Sequence, residues 1–322
     1  MAHTFQDPNL TQVASIILRK AGKRLARLQR LGLDVTGDET APGSTIQVPI
    51  ASAGPAAQYD RTTNNYATGG GDTKFVGVTL SNHPLSPVTI TPQMIAAIGE
   101  TKTDDIRDVQ LDDAARQISD AALTAWHGIL PAADATTSAQ FVVGSLTDGL
   151  DVTKKDVARI RKAAVQGVAA SGGLPEFKGV SPAAAALVCN SGLFSSLLAL
   201  YEVAAWTNRD GSVANPVVDG WFPGGLVGFS DVVEDPLLGD SILGYVLPYN
   251  SFAIAARHVR VNNTQGVYNE WAYLRDEETR LPMTFRELGV GAVDDRVLNT
   301  ESLFGATLAL PAQVLTLLPH SA

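Results

Sequence analysis

Between residues 12 and 31, Leu18, Ala21, Leu25 and Leu28 recur at steps of three and four, a spacing that predicts a helix with one apolar stripe. Lys20, Lys23, Arg24 and Arg27 follow the same spacing on another face, and Gly32 stands where a terminator is wanted. Residues 1–11, with Pro8 and little periodicity, read as an irregular lead. After a turn-rich stretch to 44, Thr45-Ile46-Gln47-Val48-Pro49-Ile50 alternates as a strand does, and Phe75-Val76-Gly77-Val78-Thr79-Leu80 alternates again as a returning strand. The intervening residues 51–74 are poor in large apolar side chains, with Gly69, Gly70, Gly71 and Lys74 at the tip. A polar excursion this long is unusual inside a compact domain, so the pair of strands is expected to pack on something other than its own chain.

Leu111, Ala115, Ile118, Ala122, Ala125 and Ile129 form the longest stripe of the sequence and predict a helix over 103–128, with Asp104 and Asp105 favourably placed at its start. A second helix is expected over 153–171, with Thr153 as N-cap, Asp156 closing a capping box, Val157, Ile160, Ala164 and Val168 on its apolar face, and Gly172-Gly173 ending it. Ala185 to Cys189 reads as a buried strand and Leu193 to Leu200 as a short helix. Beyond them strands dominate: 226–233, 242–247, 252–256, 268–274 and 302–310. The order predicts an α+β chain with its long helices early and a strand-rich second half.

Composition sharpens this in one respect. The chain of 322 residues is 45% hydrophobic and carries a net charge of −9, but six of its 24 basic residues (Arg19, Lys20, Lys23, Arg24, Arg27, Arg30) fall in one stretch of twelve. The remaining 18 positive charges face 33 negative ones, so an acidic body carries a basic N-terminal arm that would attract DNA or any acidic surface. No apolar run reaches the ~18 residues that span a bilayer, and the basic residues follow the first apolar cluster where a secretory signal has the reverse order. The single Cys189 excludes a disulfide framework and a Cys-rich zinc site.

Candidate chemistry fails on spacing. Gly228-Phe229-Ser230-Asp231-Val232 lacks the second glycine of a nucleophile elbow, and Gly69-Gly70-Gly71-Asp72-Thr73-Lys74 lacks the Lys-Ser/Thr ending of a phosphate loop. Gly289-Val290-Gly291-Ala292-Val293-Asp294 places Asp where a dinucleotide fingerprint needs its third glycine. His3, His83, His127, His258 and His320 stand far apart, without metal-ligand spacing. The acid pairs Asp104/Asp105, Asp112/Asp113 and Asp294/Asp295 read as solvated carboxylates, and Cys189 as a small core hydrophobe. No catalytic, cofactor-binding or metal residues are therefore assigned.

The order of these elements resembles the Hong Kong 97-type fold of tailed-bacteriophage major capsid proteins. Residues 45–49 and 76–80 look like the legs of that family's extended two-stranded loop, 84–92 like the crossing into its peripheral domain, and 104–130 like its spine helix. Residues 154–170, 185–190 and 193–200 look like the helix–strand–helix run of its apical domain, 220–233 like its glycine-rich approach to a strand, and 257–261 and 268–274 like its late returning strands. The division this implies is an arm (1–44), an extended loop (45–92), a peripheral domain with the spine helix (93–150), an apical domain (151–256) and a return to the peripheral domain (257–322).

The resemblance implies a structural shell subunit with no enzymatic role and no cofactor. It would be assembled in a host bacterial cytoplasm into hexamers and pentamers of an icosahedral virion around double-stranded DNA. It also implies a portal and decoration proteins as partners. Fewer than 50 residues precede the extended loop, so the scaffolding protein is expected to be a separate chain. Some relatives cross-link covalently through a loop lysine and a neighbour's asparagine; Lys74 is the only lysine in this loop, and Asn262 or Asn263 would be its partner. Lys20, Lys23, Arg24 and Arg27 are expected to meet acidic surface on a neighbour, an acidic scaffold or packaged DNA. An encapsulin shell is the nearest alternative. From a different class, the alternative is a cytoplasmic hydrolase whose site converges only in space.

Overall fold

The computed structural model describes residues 8–31, 33–34, 43–52, 72–90, 104–143, 152–200, 206–207, 213–214, 221–223, 228–249, 251–261, 269–276, 281–289 and 296–320. Four helices are present among them: α1 (Pro8–Leu31), α2 (Asp104–His127), α3 (Lys154–Gln166) and α4 (Ser191–Leu200). The expected start of α1 moves back to Pro8, because proline is tolerated in a first turn whose N–H groups have no helical partner. Leu10, Val13, Ala14, Ile17, Leu18, Ala21 and Leu25 are buried on one face of α1, in the same core as Leu111, Ala114, Ala115, Ile118 and Ala122 of α2. The alanines let the two helices approach closely, and each large apolar side chain contributes about 1.5–3 kcal/mol by burial.

The strands of the first half are β1 (Leu33–Asp34), β2 (Thr45–Ser52), β3 (Asp72–Thr79), β4 (Leu85–Ile90) and β5 (Ala139–Val142). The middle of the chain supplies β6 (Ala185–Cys189), β7 (Trp206–Thr207), β8 (Val213–Ala214), β9 (Trp221–Pro223), β10 (Asp231–Glu234) and β11 (Gly244–Pro248). Then come β12 (Phe252–Arg257), β13 (Glu270–Arg275), β14 (Pro282–Gly289), β15 (Arg296–Glu301), β16 (Leu303–Leu308) and β17 (Leu315–Leu318). They form a six-stranded sheet in the order β5-β17-β11-β6-β10-β9, a four-stranded sheet β13-β14-β15-β4, a three-stranded sheet β1-β12-β16, and the pairs β2-β3 and β7-β8.

The six-stranded sheet is covered on both faces, as its side-chain alternation shows. Ala186 and Val188 of β6 join the core that holds α1 and α2, while Ala185, Leu187 and Cys189 join a second core with Val157, Ile160 and Ala164 of α3. Two polar contacts fasten this sheet to the end of α2. Tyr245 Oη donates to the Pro131 carbonyl at 2.5 Å, and His127 Nδ1 lies 2.9 Å from Asp235 Oδ2. Burial of the Tyr245 ring raises its phenol above the usual range.

Several expectations are corrected. α3 ends at Gln166, five residues before the expected 171, because Gly167 takes φ +83°, and a Cβ there would stand 2.2 Å from the Phe177 carbonyl oxygen. Val168 therefore leaves the helix and bridges Phe177. The strand expected over 226–233 contracts to β10, with 226–227 outside the described residues. β12 pairs with β16 in a separate sheet, although it follows β11 closely in the chain, whereas β5 and β17 lie in the six-stranded sheet through the registers Leu315↔Ala139 and Gly244↔Leu317. The physical cause is side-chain fit, since Leu315 and Leu317 are buried in the second core.

Candidate assembly surfaces

β2 and β3 form an antiparallel ladder from Thr45↔Thr79 to Ser52↔Asp72, eight residues on each strand. Val48, Ile50, Val78 and Leu80 point inward and are buried with Ala253, Ala255 and Leu303 as a small third core. The hairpin lies so close on β16 that a Cβ on Gly305 would stand 2.5 Å from the Thr79 carbonyl oxygen, and Thr307 Oγ1 donates to the Gly77 carbonyl at 3.1 Å. The outer face has no such cover. Phe75 is 66% exposed, and Pro49, its cross-strand neighbour, is exposed too. Of the expected tip residues, Gly69, Gly70 and Gly71 lie outside the described residues. Lys74 is placed in β3 opposite Ile50, its side chain outside the description. Asn262 and Asn263 also lie outside it.

The foot of the hairpin is tied to the body by polar groups. The Asn82 side-chain amide donates to the Ala121 carbonyl of α2 at 2.9 Å. Glu301, 2% exposed, accepts from Arg286 Nη2 at 2.9 Å, and His83 Nε2 lies 3.0 Å from the same oxygen. These contacts fix the direction in which the ladder leaves the body.

The basic face of α1 is divided by the structure. Arg24 Nη2 donates to Asp112 Oδ2 of α2 at 3.3 Å, and Lys20 Nζ lies 3.9 Å from Asp112 Oδ1. Lys23 is exposed, and the side chain of Arg27 lies outside the described residues. Part of the acidic surface that this face was expected to find on a neighbour is thus supplied by its own chain. Next to Asp112, the carboxyl of Asp113 is held below the usual range by hydrogen bonds from Arg116 and, to a lesser degree, Gln117.

A second basic surface, unassigned from the sequence, lies on α3. Lys154, Lys155, Arg159, Arg161 and Lys162 are all exposed on thirteen residues that include one acid, Asp156. Asp156 is buried at the helix start. Its carboxylate accepts from Thr153 N–H while its own N–H donates to Thr153 Oγ1, the expected capping box, and the carboxylate also accepts from Thr153 Oγ1 and from Arg159 Nη1 at 3.3 Å. Among the described residues, no ion pair reaches Lys154, Lys155, Arg161 or Lys162. A run of Lys and Arg over 154–162 was the signal available in the sequence.

Other polar groups are occupied structurally. Ser230 Oγ donates to the Ala185 carbonyl, and Tyr249 Oη lies within hydrogen-bond distance of Ser230 Oγ and Asp231 Oδ2, so Ser230 is held in a loop-fixing network. Complete burial pushes the Cys189 thiol up, away from the thiolate form that a nucleophile needs. Among the described residues, no group of three or more His, Cys, Asp or Glu is placed to hold a metal ion, and no helix is long and apolar enough to cross a membrane.

No family model and no curated protein matches the chain. Among solved structures it is similar to the capsid of Cyanophage P-SCSP1u (12% identity, 92% of this chain and 88% of that one, TM-score 0.48). It is also similar to the capsid of a native GTA particle (13% identity, 92% and 90%, TM-score 0.48). A third likeness is to a virus-like particle from Pyrococcus furiosus (10% identity, 97% and 100%, TM-score 0.49).

Proposed function

We propose that the chain is the major capsid protein of a tailed bacteriophage, a shell subunit of the Hong Kong 97-type fold. The observation that carries this reading is the β2–β3 hairpin. It sits between the arm helix α1 and the long helix α2, its inner face is buried on its own sheet, and its outer face presents Phe75 and Pro49 to solvent. An apolar pair on a ladder that the body does not cover is explained when the covering surface comes from another copy. Helix α1 fits the part of an arm, and α2 that of the spine against which the arm lies. The six-stranded sheet with α3 and α4 corresponds to the apical unit, with β5 and β17 included.

In this reading the shell encloses double-stranded DNA, and a scaffolding protein, a portal and decoration proteins are its partners. Lys23 and Arg27 continue the basic face of α1 beyond the pairs made with Asp112 and would meet an acidic neighbour, the scaffold or DNA. The test is negative-stain microscopy with light scattering on the purified protein, alone and with a co-expressed scaffold. Closed shells, or rings of five and six that become shells, are the expected result. A persistent compact monomer under all conditions overturns the proposal, and particles filled with an enzyme would move it to an encapsulin.

A further inference from the structure

We infer that the exposed cations of α3 and the groove beside them receive the acidic corner after β10 of a second copy, in a head-to-tail contact along one ring of subunits. This deepens the shell reading and rests on it. The groove, about 560 Å³, lies where α3 passes the edge strand β5, with Phe141, Val142 and Val168 as its apolar floor and Arg159, Lys162 and His320 as its basic rim. Val142 is 50% exposed, and Val165, beside Lys162 on α3, is 49% exposed. A site made only for phosphates has no use for that apolar area, whereas a protein segment that carries both carboxylates and a leucine fits it.

Such a segment exists on this chain in the connection from β10 to β11. The connection crosses one end of the sheet from β10 to β11, where the Leu243 N–H donates to the Leu317 carbonyl of β17. Immediately after β10 the chain reads Glu234-Asp235-Pro236-Leu237-Leu238-Gly239-Asp240, in which Leu237 is 47% exposed and Asp240 is exposed. Asp235 is buried and fixes the corner by accepting from the Leu237 N–H at 3.0 Å and lying against His127. None of residues 234–241 lines the groove, so within the subunit the acidic corner does not fill it. Between subunits the contact is heterologous, the kind that generates rings. The opposite charges set the direction of the contact and exclude groove-to-groove association.

The experiment is a charge swap. One variant combines Lys162→Glu and Gln166→Glu, which line the groove and make no ion pair with described residues; the other combines Asp240→Lys and Ser241→Lys, all four positions being exposed. Each variant alone is expected to lower the yield of rings or shells at least about tenfold, a like-charge juxtaposition at an interface being worth several kcal/mol. The chain carrying all four substitutions should recover most of the yield. Circular dichroism and a thermal melt verify that each variant folds, and Lys162→Gln with Asp240→Asn gives milder forms that must weaken assembly in the same order. If the wild type forms shells and both double variants do so at normal yield, the contact is refuted while the shell reading stands. If the groove variant instead loses only DNA retention by isolated subunits, with assembly unchanged, the surface belongs to nucleic acid and the inference fails. A wild type that stays monomeric overturns both.

Discussion

Helices α1 and α3 are both strongly basic, and the structure treats their charges in opposite ways. α1 carries six cations and no acid from Pro8 to Leu31, yet two of them, Lys20 and Arg24, are turned onto Asp112 of α2, which lies 88 residues beyond Arg24. α3 carries five cations and one acid, and its acid is committed to the N-terminal cap and to Arg159, so the other four cations face solvent. What separates them is the second helix. α1 lies along the acidic α2, whereas α3 lies on a sheet whose near face is apolar. A basic helix on an acidic protein is therefore not by itself an address for a partner; the charge available to a partner is what the fold leaves uncovered.

The largest effects should come from what the two helices share. Ile17 is fully buried and Ile160 is 2% exposed, so Ile17→Ala and Ile160→Ala should each cost about 2–5 kcal/mol, the range for removing buried methylenes from a packed core. Urea melts of the subunit measure this. A cost below about 1 kcal/mol at Ile17, the scale of surface substitutions, would mean that the charges rather than the stripe hold α1 in place.

The next effect belongs to α3 alone. Thr153→Ala removes one half of the capping box and should destabilise by about 1 kcal/mol. Because Asp156 would then keep fewer of its bonds, the loss should be visible as earlier fraying of the first turn by hydrogen exchange.

Third is the pair that distinguishes α1. Asp112→Asn frees Lys20 and Arg24, and since all three side chains are about a third to a half exposed, stability should fall by at most about 1 kcal/mol. The more telling outcome is functional: with two more cations released, the arm should bind an acidic scaffold peptide or DNA more tightly, and at high salt the gain should vanish. Unchanged binding would mean that α1 is structural only.

How much of this was legible follows the distance over which each feature is built. The capping box of α3 and the stripes of α1 and α2 lie within a few residues of sequence, and the pattern located them. β14 and β15 were not found. Arg286 and Glu301 put charges in strands that are buried, and those charges are held by their pairing across the sheet, with His83 against the same Glu301 oxygen. β5 and β17, four residues each, carry too little period to mark, and their place is set by a parallel pairing between positions 139 and 315. The end of α3 was misplaced for a local reason: Gly172-Gly173 looked the stronger stop, but Gly167 supplies the left-handed turn because the Phe177 carbonyl occupies the space a side chain would need. The run of cations on α3 is plain in the sequence, and only its lack of partners required the fold.

The smallest expected effect tests the comparison through its sign. Lys155 and Arg159 stand four residues apart on an exposed face, and Arg159 and Lys162 three apart, spacings at which like charges destabilise a helix by about 0.2–0.5 kcal/mol. Lys155 also sits in the first turn, where the helix dipole disfavours a cation. Lys155→Gln should therefore raise the melting temperature slightly at low salt, whereas Asp112→Asn should lower it. Both differences should shrink as salt is added, because at about 1 M the screening length falls to about 3 Å. The two variants then converge on the wild type from opposite sides, which no general change in solubility or hydration would produce. Thermal melts in a salt series on the unassembled subunit measure it. If Lys155→Gln lowers the melting temperature at low salt, α3 has an acidic partner within its own chain, the contrast with α1 disappears, and the free basic surface must be sought elsewhere.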